Sequence, residues 1–209
     1  MRPKVVVAEN VPALLTGKAR TIYYQILDAF WDAGYIPECF LVDSSKCSVP
    51  QKRERAIFVA QRKDIRKHGI IFDFHDPEIT FGEIRTDHGI CKPAEGTLVR
   101  TLFEQRTPED KRLSNVKTRL GMSETLYSVA ILRDDEVAPT VMASNGGRSL
   151  RDCDGEWASM EDYRRMQTFP EDYDFCGSNQ AETKYILGMS VPPRMMEHIS
   201  RAVYEQILA

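Results

Sequence analysis

The feature that most constrains the fold is a short apolar run near the start of the chain that stops at a carboxylate. Residues 5–8 read Val-Val-Val-Ala and are followed by Glu9 and Asn10 and then a proline turn. Such a run is typical of a strand buried on both faces, as in a parallel sheet. Ligands bind beyond the carboxyl ends of strands in open α/β sheets. Glu9 is therefore either a functional carboxylate at such an edge or a solvated residue at a strand end.

Length and composition describe an ordinary globular chain. The 209 residues suit one large domain or one and a half small ones, and 42% hydrophobic with 28% charged residues is unremarkable. The net charge of −3 does not indicate a nucleic-acid binder, although it averages over faces of different charge. Because no apolar run approaches the ~20 residues of a membrane helix, no membrane partner is expected.

The cysteines and histidines exclude two further classes of protein. The five cysteines are odd in number, and none forms a Cys-x-x-Cys pair. Together with the lack of a signal peptide, this favours reduced thiols in a cytoplasm over a disulfide framework. The four histidines are scattered, so no metal site is expected.

Residues 1–64 are predicted to fold as strand, helix, strand, strand. Apolar residues recur at helical spacing over 21–33, and 39–42 and 56–60 are short apolar strands. One helix and about three strands cannot cover both faces of a parallel sheet. We therefore expect this part to pack against something outside the chain.

The remainder of the chain has a different pattern. Residues 65–158 are predicted to form a small, mostly β module. Its strand-like fragments, separated by Gly, Pro and charged turns, are 69–72, 96–99, 127–132 and 139–142. A helix is predicted to begin after a Ser159 cap, and a last helix after a Ser190 cap. The apolar stripe of that last helix indicates core packing.

Four sequence blocks, which occur in order with sensible gaps, carry a family resemblance. They are Glu-Asn-Val-Pro at 9–12, Val-Pro-Gln-Lys-Arg-Glu-Arg at 49–55, Gln-Thr-Phe-Pro-Glu-Asp-Tyr at 167–173 and Gly-Met-Ser-Val-Pro-Pro at 188–193. With these blocks the chain resembles the C-terminal half of a DNA (cytosine-5) methyltransferase. The resemblance implies an α/β fold, with a partial Rossmann-like methyltransferase sheet and a small, mostly β target recognition domain. It assigns 1–64 to the catalytic domain, 65–158 to target recognition, and 159–209 to a hinge and a C-terminal helix that returns to the catalytic domain.

The resemblance implies a reaction and a role for the first block. The family transfers a methyl group from S-adenosyl-L-methionine to C5 of a cytosine flipped out of double-stranded DNA. Because C5 is a weak nucleophile, a cysteine first adds to C6 and makes C5 enamine-like. On the matching positions, Glu9 would hydrogen-bond the N3/N4 edge of the cytosine. Asn10 would hold the strand-end turn and with it the geometry of Glu9.

The second block implies further contacts to the flipped nucleotide. Arg53 and Arg55 lie two residues apart, so they point to one face if strand geometry reaches back to them. By resemblance, Arg55 would contact the cytosine carbonyl and Glu9, and Arg53 the sugar-phosphate backbone. Gln51 and Lys52 belong to the same DNA-binding set. The alternative is a surface cluster of salt bridges.

The last block resembles the motif whose turn borders the cofactor. It implies S-adenosyl-L-methionine contacts from Met189, Ser190 and Val191. The family usually has Asn where Met189 stands, and a thioether cannot replace an amide as a hydrogen-bonding group. One cofactor or inter-domain hydrogen bond is thereby put in doubt. A second departure is 46–48, Lys-Cys-Ser, where the family usually has a Gly before Val-Pro-Gln.

Two parts that the resemblance requires are missing from the sequence. None of the five cysteines follows a proline, and no Phe-x-Gly-x-Gly cofactor loop occurs. Since Met1 stands just before the strand that carries Glu9, we expect a split, cytoplasmic enzyme of bacterial or phage origin. A separate N-terminal-half polypeptide would supply the Pro-Cys loop and the cofactor loop. The alternatives are an inactive DNA-binding or regulatory remnant and, more remotely, an α/β interaction module.

Overall fold

The computed structural model describes residues 2–122, 129–143 and 148–209. The elements of the first part are β1 (Val5–Asn10), α1 (Arg20–Asp32), β2 (Tyr35–Asp43), β3 (Gln51–Lys52) and β4 (Glu54–Arg62). Strands β1, β4 and β2 form one sheet in that order, with β4 antiparallel to both neighbours. β1 and β2 therefore run in the same direction, and β4 is inserted between them.

Helices cover both faces of this sheet. The register pairs Glu9 with Ile57, and successive residues of β4 alternate between the two faces. Phe58 packs with apolar side chains of α1, while Ile57 and Val59 face the last helix of the chain. The central strand is thus the most deeply buried element of the sheet.

The position of β1 corrects one expectation. Its sequence predicts a strand buried on both faces, but none of its six residues is fully buried. Val7 is 37% exposed. The strand that is buried on both faces is β4, where residues 56–60 are almost inaccessible. An apolar run shows that a strand needs burial, but strand pairing decides which run lies in the centre.

The second part of the chain is built from short elements. These are α2 (Phe81–Ile84), α3 (Leu98–Glu104), α4 (Leu113–Arg119), β5 (Ala130–Leu132), β6 (Ala138–Pro139) and β7 (Ser149–Arg151). Strand β6 pairs in parallel with β3, and β5 pairs in parallel with β7. The α/β class is as predicted, but this part has fewer strand residues than a mostly β module.

Individual fragments show why the strand content is lower. Residues 69–72 lie outside any strand. Residues 96–99 contain the start of α3, because the Thr97 side chain accepts a hydrogen bond from Arg100 N at 3.4 Å and caps the helix. Of the fragment 127–132, β5 covers 130–132, and 127–128 lie outside the described residues.

Three α-helices follow, α5 (Met160–Met166), α6 (Gln180–Met189) and α7 (Pro193–Val203), and a π-helical turn at Tyr204–Leu208 comes after α7. Helix α5 begins after the Ser159 cap as predicted, with a reciprocal capping box to Asp162. Helix α6 has no counterpart in the prediction, and Ser190 ends it rather than starting α7. Ile199 and Val203 of α7 are buried against the sheet, which confirms the apolar stripe as core packing.

Candidate functional site

Glu9 and Arg55 form an ion pair where β1 ends. The Arg55 Nε atom lies 2.5 Å from Glu9 Oε1. Since Glu9 is registered with Ile57, Arg55 is its diagonal neighbour on the same face of the sheet. The Arg55 side chain is 13% exposed and that of Glu9 31% exposed. Arg55 therefore holds the Glu9 carboxylate in place at the strand end, where it is partly exposed to solvent.

Asn10 fixes the turn that follows this pair. Its Oδ1 accepts a hydrogen bond from Val11 N at 2.8 Å. The chain then enters a 3₁₀ turn at Pro12–Leu15, whose Leu14 packs beneath the sheet. The backbone beyond Glu9 is thereby held by a side-chain cap on one side and by core packing on the other.

Arg53 does not point where the sequence suggests. The residue breaks the strand between β3 and β4, because its backbone N–H donates to Ser44 Oγ at 3.1 Å. The side chain is 1% exposed. Its Nη1 donates to Val141 O at 3.2 Å and its Nη2 to Gly188 O at 2.8 Å. The expected contact with the sugar-phosphate backbone is therefore not available in this conformation, since the guanidinium is enclosed.

Burial also changes the electrostatics of Arg53. Desolvation lowers the pKa of its guanidinium to about 10, the nearby Arg55 acts in the same direction, and Glu9 opposes both. Glu9, Arg53 and Arg55 therefore interact electrostatically, although only Arg55 pairs with the Glu9 carboxylate. Arginine tolerates such a site because its basicity keeps it charged.

Gln51 lies in the same buried junction. It is fully buried, its Nε2 donates to Met166 O at 3.2 Å, and its Oε1 accepts from Val141 N at 3.0 Å. The expected DNA contact is not available to this side chain either, because both of its polar atoms are occupied inside the protein. Lys52 differs, since its side chain is exposed while its backbone carbonyl accepts from Thr140 Oγ1 at 2.8 Å.

The third and fourth sequence blocks meet the second at this junction. The buried Gln167 donates from Nε2 to Leu187 O at 2.6 Å. A Cβ on Gly188 would lie 2.4 Å from Ala143 N, so the close approach of α6 to this segment requires glycine. Sequence reasoning missed Gln167 and Gly188 as contact residues. The only signal for them was that each is the first residue of its block.

The proposed cofactor residues lie where α6 turns into α7. Met189 is 61% exposed, and Val191 packs against the core between α7 and the sheet. The Ser190 hydroxyl donates to Ile186 O at 2.7 Å and keeps its lone pairs for a donor. Of these three residues, Ser190 has a hydrogen-bonding side chain and Met189 offers only an exposed thioether. Gly188, next to them, is the residue that Arg53 holds.

Metal-binding clusters and membrane-spanning helices are absent from the described parts of the chain. These parts contain no group of three or more His, Cys, Asp or Glu residues placed to hold a metal ion. All five cysteines are unpaired thiols. Within the same residues, no helix has both the length and the apolar character to cross a membrane.

Comparisons with known proteins place this geometry in context. A family model for C-5 cytosine-specific DNA methylase matches residues 1–149. The Type II methyltransferase M.NgoFVII of Neisseria gonorrhoeae is 26% identical and covers 97% of this chain and 59% of its own length. M.BspRI of Lysinibacillus sphaericus is 26% identical, covering 97% of this chain and 51% of its own length. The chain thus spans about half the length of these relatives.

Solved structures show the same fold at low sequence identity. The Dnmt2 methyltransferase of S. pombe matches 99% of this chain and 68% of its own with a TM-score of 0.67 at 13% identity. The methyltransferase EhMeth of Entamoeba histolytica matches 98% of this chain and 63% of its own with a TM-score of 0.63, also at 13% identity. The fold is therefore that of part of a Rossmann-like methyltransferase.

Proposed function

The chain belongs to the family of C-5 cytosine-specific DNA methylases, and we propose that it is the C-terminal subunit of a split enzyme of that family. The complete enzyme transfers a methyl group from S-adenosyl-L-methionine to C5 of a flipped cytosine in double-stranded DNA. The observation that supports the role in cytosine methylation is the 2.5 Å contact between Arg55 Nε and Glu9 Oε1 at a strand end. A carboxylate held by an arginine can present one fixed edge to a base.

We assign the base contact to Glu9 and Arg55. The carboxyl group of Glu9 hydrogen-bonds the N3/N4 edge of cytosine, which identifies the base and stabilises charge that develops on the ring. Arg55 holds that carboxyl group and reaches the cytosine carbonyl. The cofactor, when bound, supplies the methyl group, and Met189, Ser190 and Val191 border it.

We propose the same three-part division as the sequence suggests. Residues 1–64 belong to the catalytic domain, 65–158 recognise the DNA sequence, and 159–209 form the hinge and the returning helix. Lys52, at the surface beside the junction, is the remaining candidate of the second block for a contact with DNA. Arg53 and Gln51 instead hold the parts together through their buried hydrogen bonds.

The partner would dock at the open edge of β1. This strand pairs only with β4 among the described residues, and the edge carries Val7 partly exposed. An unprotected apolar edge is a template for another strand. We propose that a second polypeptide, which supplies the Pro-Cys loop and the glycine-rich cofactor loop, completes the sheet here. The assembled enzyme would work on DNA in the cytoplasm.

The alternative is an inactive DNA-binding subunit. The sequence favours it in one respect, because no cysteine follows a proline. The retained pair of Glu9 and Arg55 argues against it, since binding alone does not require a carboxylate at the base edge.

Methyl transfer from labelled S-adenosyl-L-methionine to DNA tests these alternatives. The chain is assayed alone and co-expressed with the product of the upstream reading frame. We expect activity only in the co-expressed sample. Activity of the pure chain would contradict the split enzyme. Inactivity of a complex shown to have assembled would favour the inactive subunit.

A further inference from the structure

A cavity of about 280 Å³ lies between α5 and α6, apart from the Glu9–Arg55 pair. Its apolar lining includes Ile90, Met160 and the ring of Tyr163. The charged residues that line it, Arg148 and Lys184, are both cationic. The cavity therefore combines an apolar floor with positive charge.

Aromatic rings hold the two cations in place. The Arg148 guanidinium carbon lies 4.3 Å from the centroid of the Trp157 ring, and Lys184 Nζ lies 5.2 Å from that of Tyr163. Tyr163 is itself fixed, because its hydroxyl accepts a hydrogen bond from Ser149 N at 2.8 Å. A guanidinium stacked on a ring keeps its N–H edge for an anion.

The two cations also repel each other. Burial lowers the pKa of Lys184 to about 8, and the nearby charge of Arg148 acts in the same direction. An anion between them would remove this repulsion and favour the charged form of Lys184. The cavity is thus electrostatically suited to a negatively charged ligand.

The acidic residues of the two flanking helices are engaged elsewhere. Glu161 pairs with Arg165 at 2.7 Å. Asp162 accepts from Ser159 N at 2.8 Å and is fully buried. Glu182 accepts from the backbone N–H of the α6 cap at 3.1 Å. None of these three carboxylates lines the cavity.

We propose that this pocket binds one backbone phosphate of the DNA substrate between Arg148 and Lys184, with the attached deoxyribose against Ile90 and Met160. The identity of the nucleic acid rests on the proposed function, whereas the preference for a phosphate rests on the pocket alone. Phosphate contacts fix the register of a duplex on a protein without reading its sequence. Gln167 directly follows α5, and Leu187 lies in α6. Because both belong to the buried junction, a phosphate held here would be fixed relative to the base site.

Binding of a small phosphate tests the pocket without DNA. The probe is deoxythymidine 3′,5′-bisphosphate, added to the full chain with ¹³C-methylated lysines and followed by NMR. We expect a saturable change in the Lys184 signal and a rise in its pKa. The same change should be lost in Arg148→Gln. The phosphate site would be overturned if the Lys184 signal did not change on addition of the bisphosphate, or if it changed equally in wild type and in Arg148→Gln.

DNA binding by the assembled complex tests the assignment to the substrate. We expect Lys184→Gln to weaken duplex binding about tenfold at ~0.1 M salt and to reduce the salt slope of log K by about 1. The matched control is Lys67→Gln, an exposed lysine on another part of the surface. Lys67→Gln should keep the wild-type affinity and salt slope, because Lys67 lies outside the pocket.

The outcomes separate this proposal from the proposed function. If the wild-type complex neither binds nor methylates DNA, the proposed function fails, and the bisphosphate experiment alone decides the phosphate site. If it methylates DNA but Lys184→Gln behaves like Lys67→Gln, the DNA contact is overturned and the function stands. Bisphosphate binding with unchanged DNA affinity would assign the pocket to a free phosphorylated molecule and overturn the proposal as stated.

Discussion

Arg53 Nη2 donates a hydrogen bond to the carbonyl oxygen of Gly188, 135 residues further along the chain, at 2.8 Å. This contact joins the link between β3 and β4 to the end of α6. Its second acceptor, Val141 O, brings in the segment after β6. A buried cation bound to backbone carbonyls is costly to disturb, because removing it leaves both carbonyls without a partner.

Glu9→Gln should slow methyl transfer by the assembled enzyme at least ~100-fold while DNA affinity changes less than ~3-fold, because a positioned acid-base group acts mainly in the transition state. Rates at saturating DNA and binding by fluorescence anisotropy measure the two effects. Glu54→Gln, on the exposed neighbour of Arg55, is the control and should retain activity. Equal losses of rate and affinity in Glu9→Gln would mean that Glu9 only positions the DNA.

Arg53→Met should lower the free energy of unfolding by about 2–4 kcal/mol, since two buried carbonyls lose their donor. Urea unfolding of the full chain measures the loss. Lys52→Met, at the exposed neighbouring position, should change it by less than ~0.5 kcal/mol. In the assembled enzyme, Arg53→Met should leave the salt slope of DNA binding unchanged. A salt slope reduced by about 1 would instead support the contact between Arg53 and a DNA phosphate that the resemblance implies.

Gly188→Ala should destabilise the chain by more than ~2 kcal/mol, because the new Cβ overlaps a backbone atom that cannot rotate away. That atom is Ala143 N, 2.4 Å from the ideal Cβ position. Thermal and urea unfolding give the measurement. Met189→Ala, next in sequence and exposed, serves as the control and should be near neutral for stability. An unchanged stability of Gly188→Ala would show that α6 can move away from Ala143 at little cost.

Glu161 should stabilise the fold above about pH 4.5 and lose its effect toward pH 2. Hydrogen bonds from Arg164 and then Arg165 lower the pKa of Glu161 to about 2 against a partly opposing desolvation. A carboxylate with a lowered folded pKa contributes stability that is present above its unfolded pKa and lost as pH falls to the folded value. Allowing for solvent screening of this partly exposed group, the contribution is about 1 kcal/mol.

The difference in unfolding free energy between wild type and Glu161→Gln measures this contribution. It should be constant from pH 7 to about 5 and shrink below that. A difference that does not depend on pH would indicate a packing effect rather than the ion pairs.

Val7→Asp should weaken association with the partner polypeptide at least ~10-fold, because a charge on a strand edge opposes pairing. Stability of the isolated chain should fall by less than ~1 kcal/mol at this partly exposed site. Sedimentation of the mixed chains measures association. Ile22→Asp, on an exposed position of α1, is the control. Equal association of Val7→Asp and wild type would place the partner on another surface.

Local pattern was sufficient for the first part of the fold. The helix predicted over 21–33 is α1 at Arg20–Asp32, and the runs at 39–42 and 56–60 lie inside β2 and β4. These elements have a clear apolar period, which is what a sequence displays. Helix α6 lacks so clear a period, and the short strands of the middle part pair over long distances, so their own residues do not specify them.

The site divides in the same way. The sequence by itself determined the family through its four blocks, the α/β class, and Glu9 as a carboxylate at a strand end. The resemblance already implied a contact between Arg55 and Glu9, and only the tertiary structure decided that Arg53, two residues away, turns inward. The two arginines are chemically identical. Their positions differ because the carbonyl oxygens of Val141 and Gly188 accept hydrogen bonds from Arg53 and offset the cost of its desolvation. Those carbonyls come close to Arg53 only when distant segments of the chain fold together, and no local sequence pattern predicts such a contact.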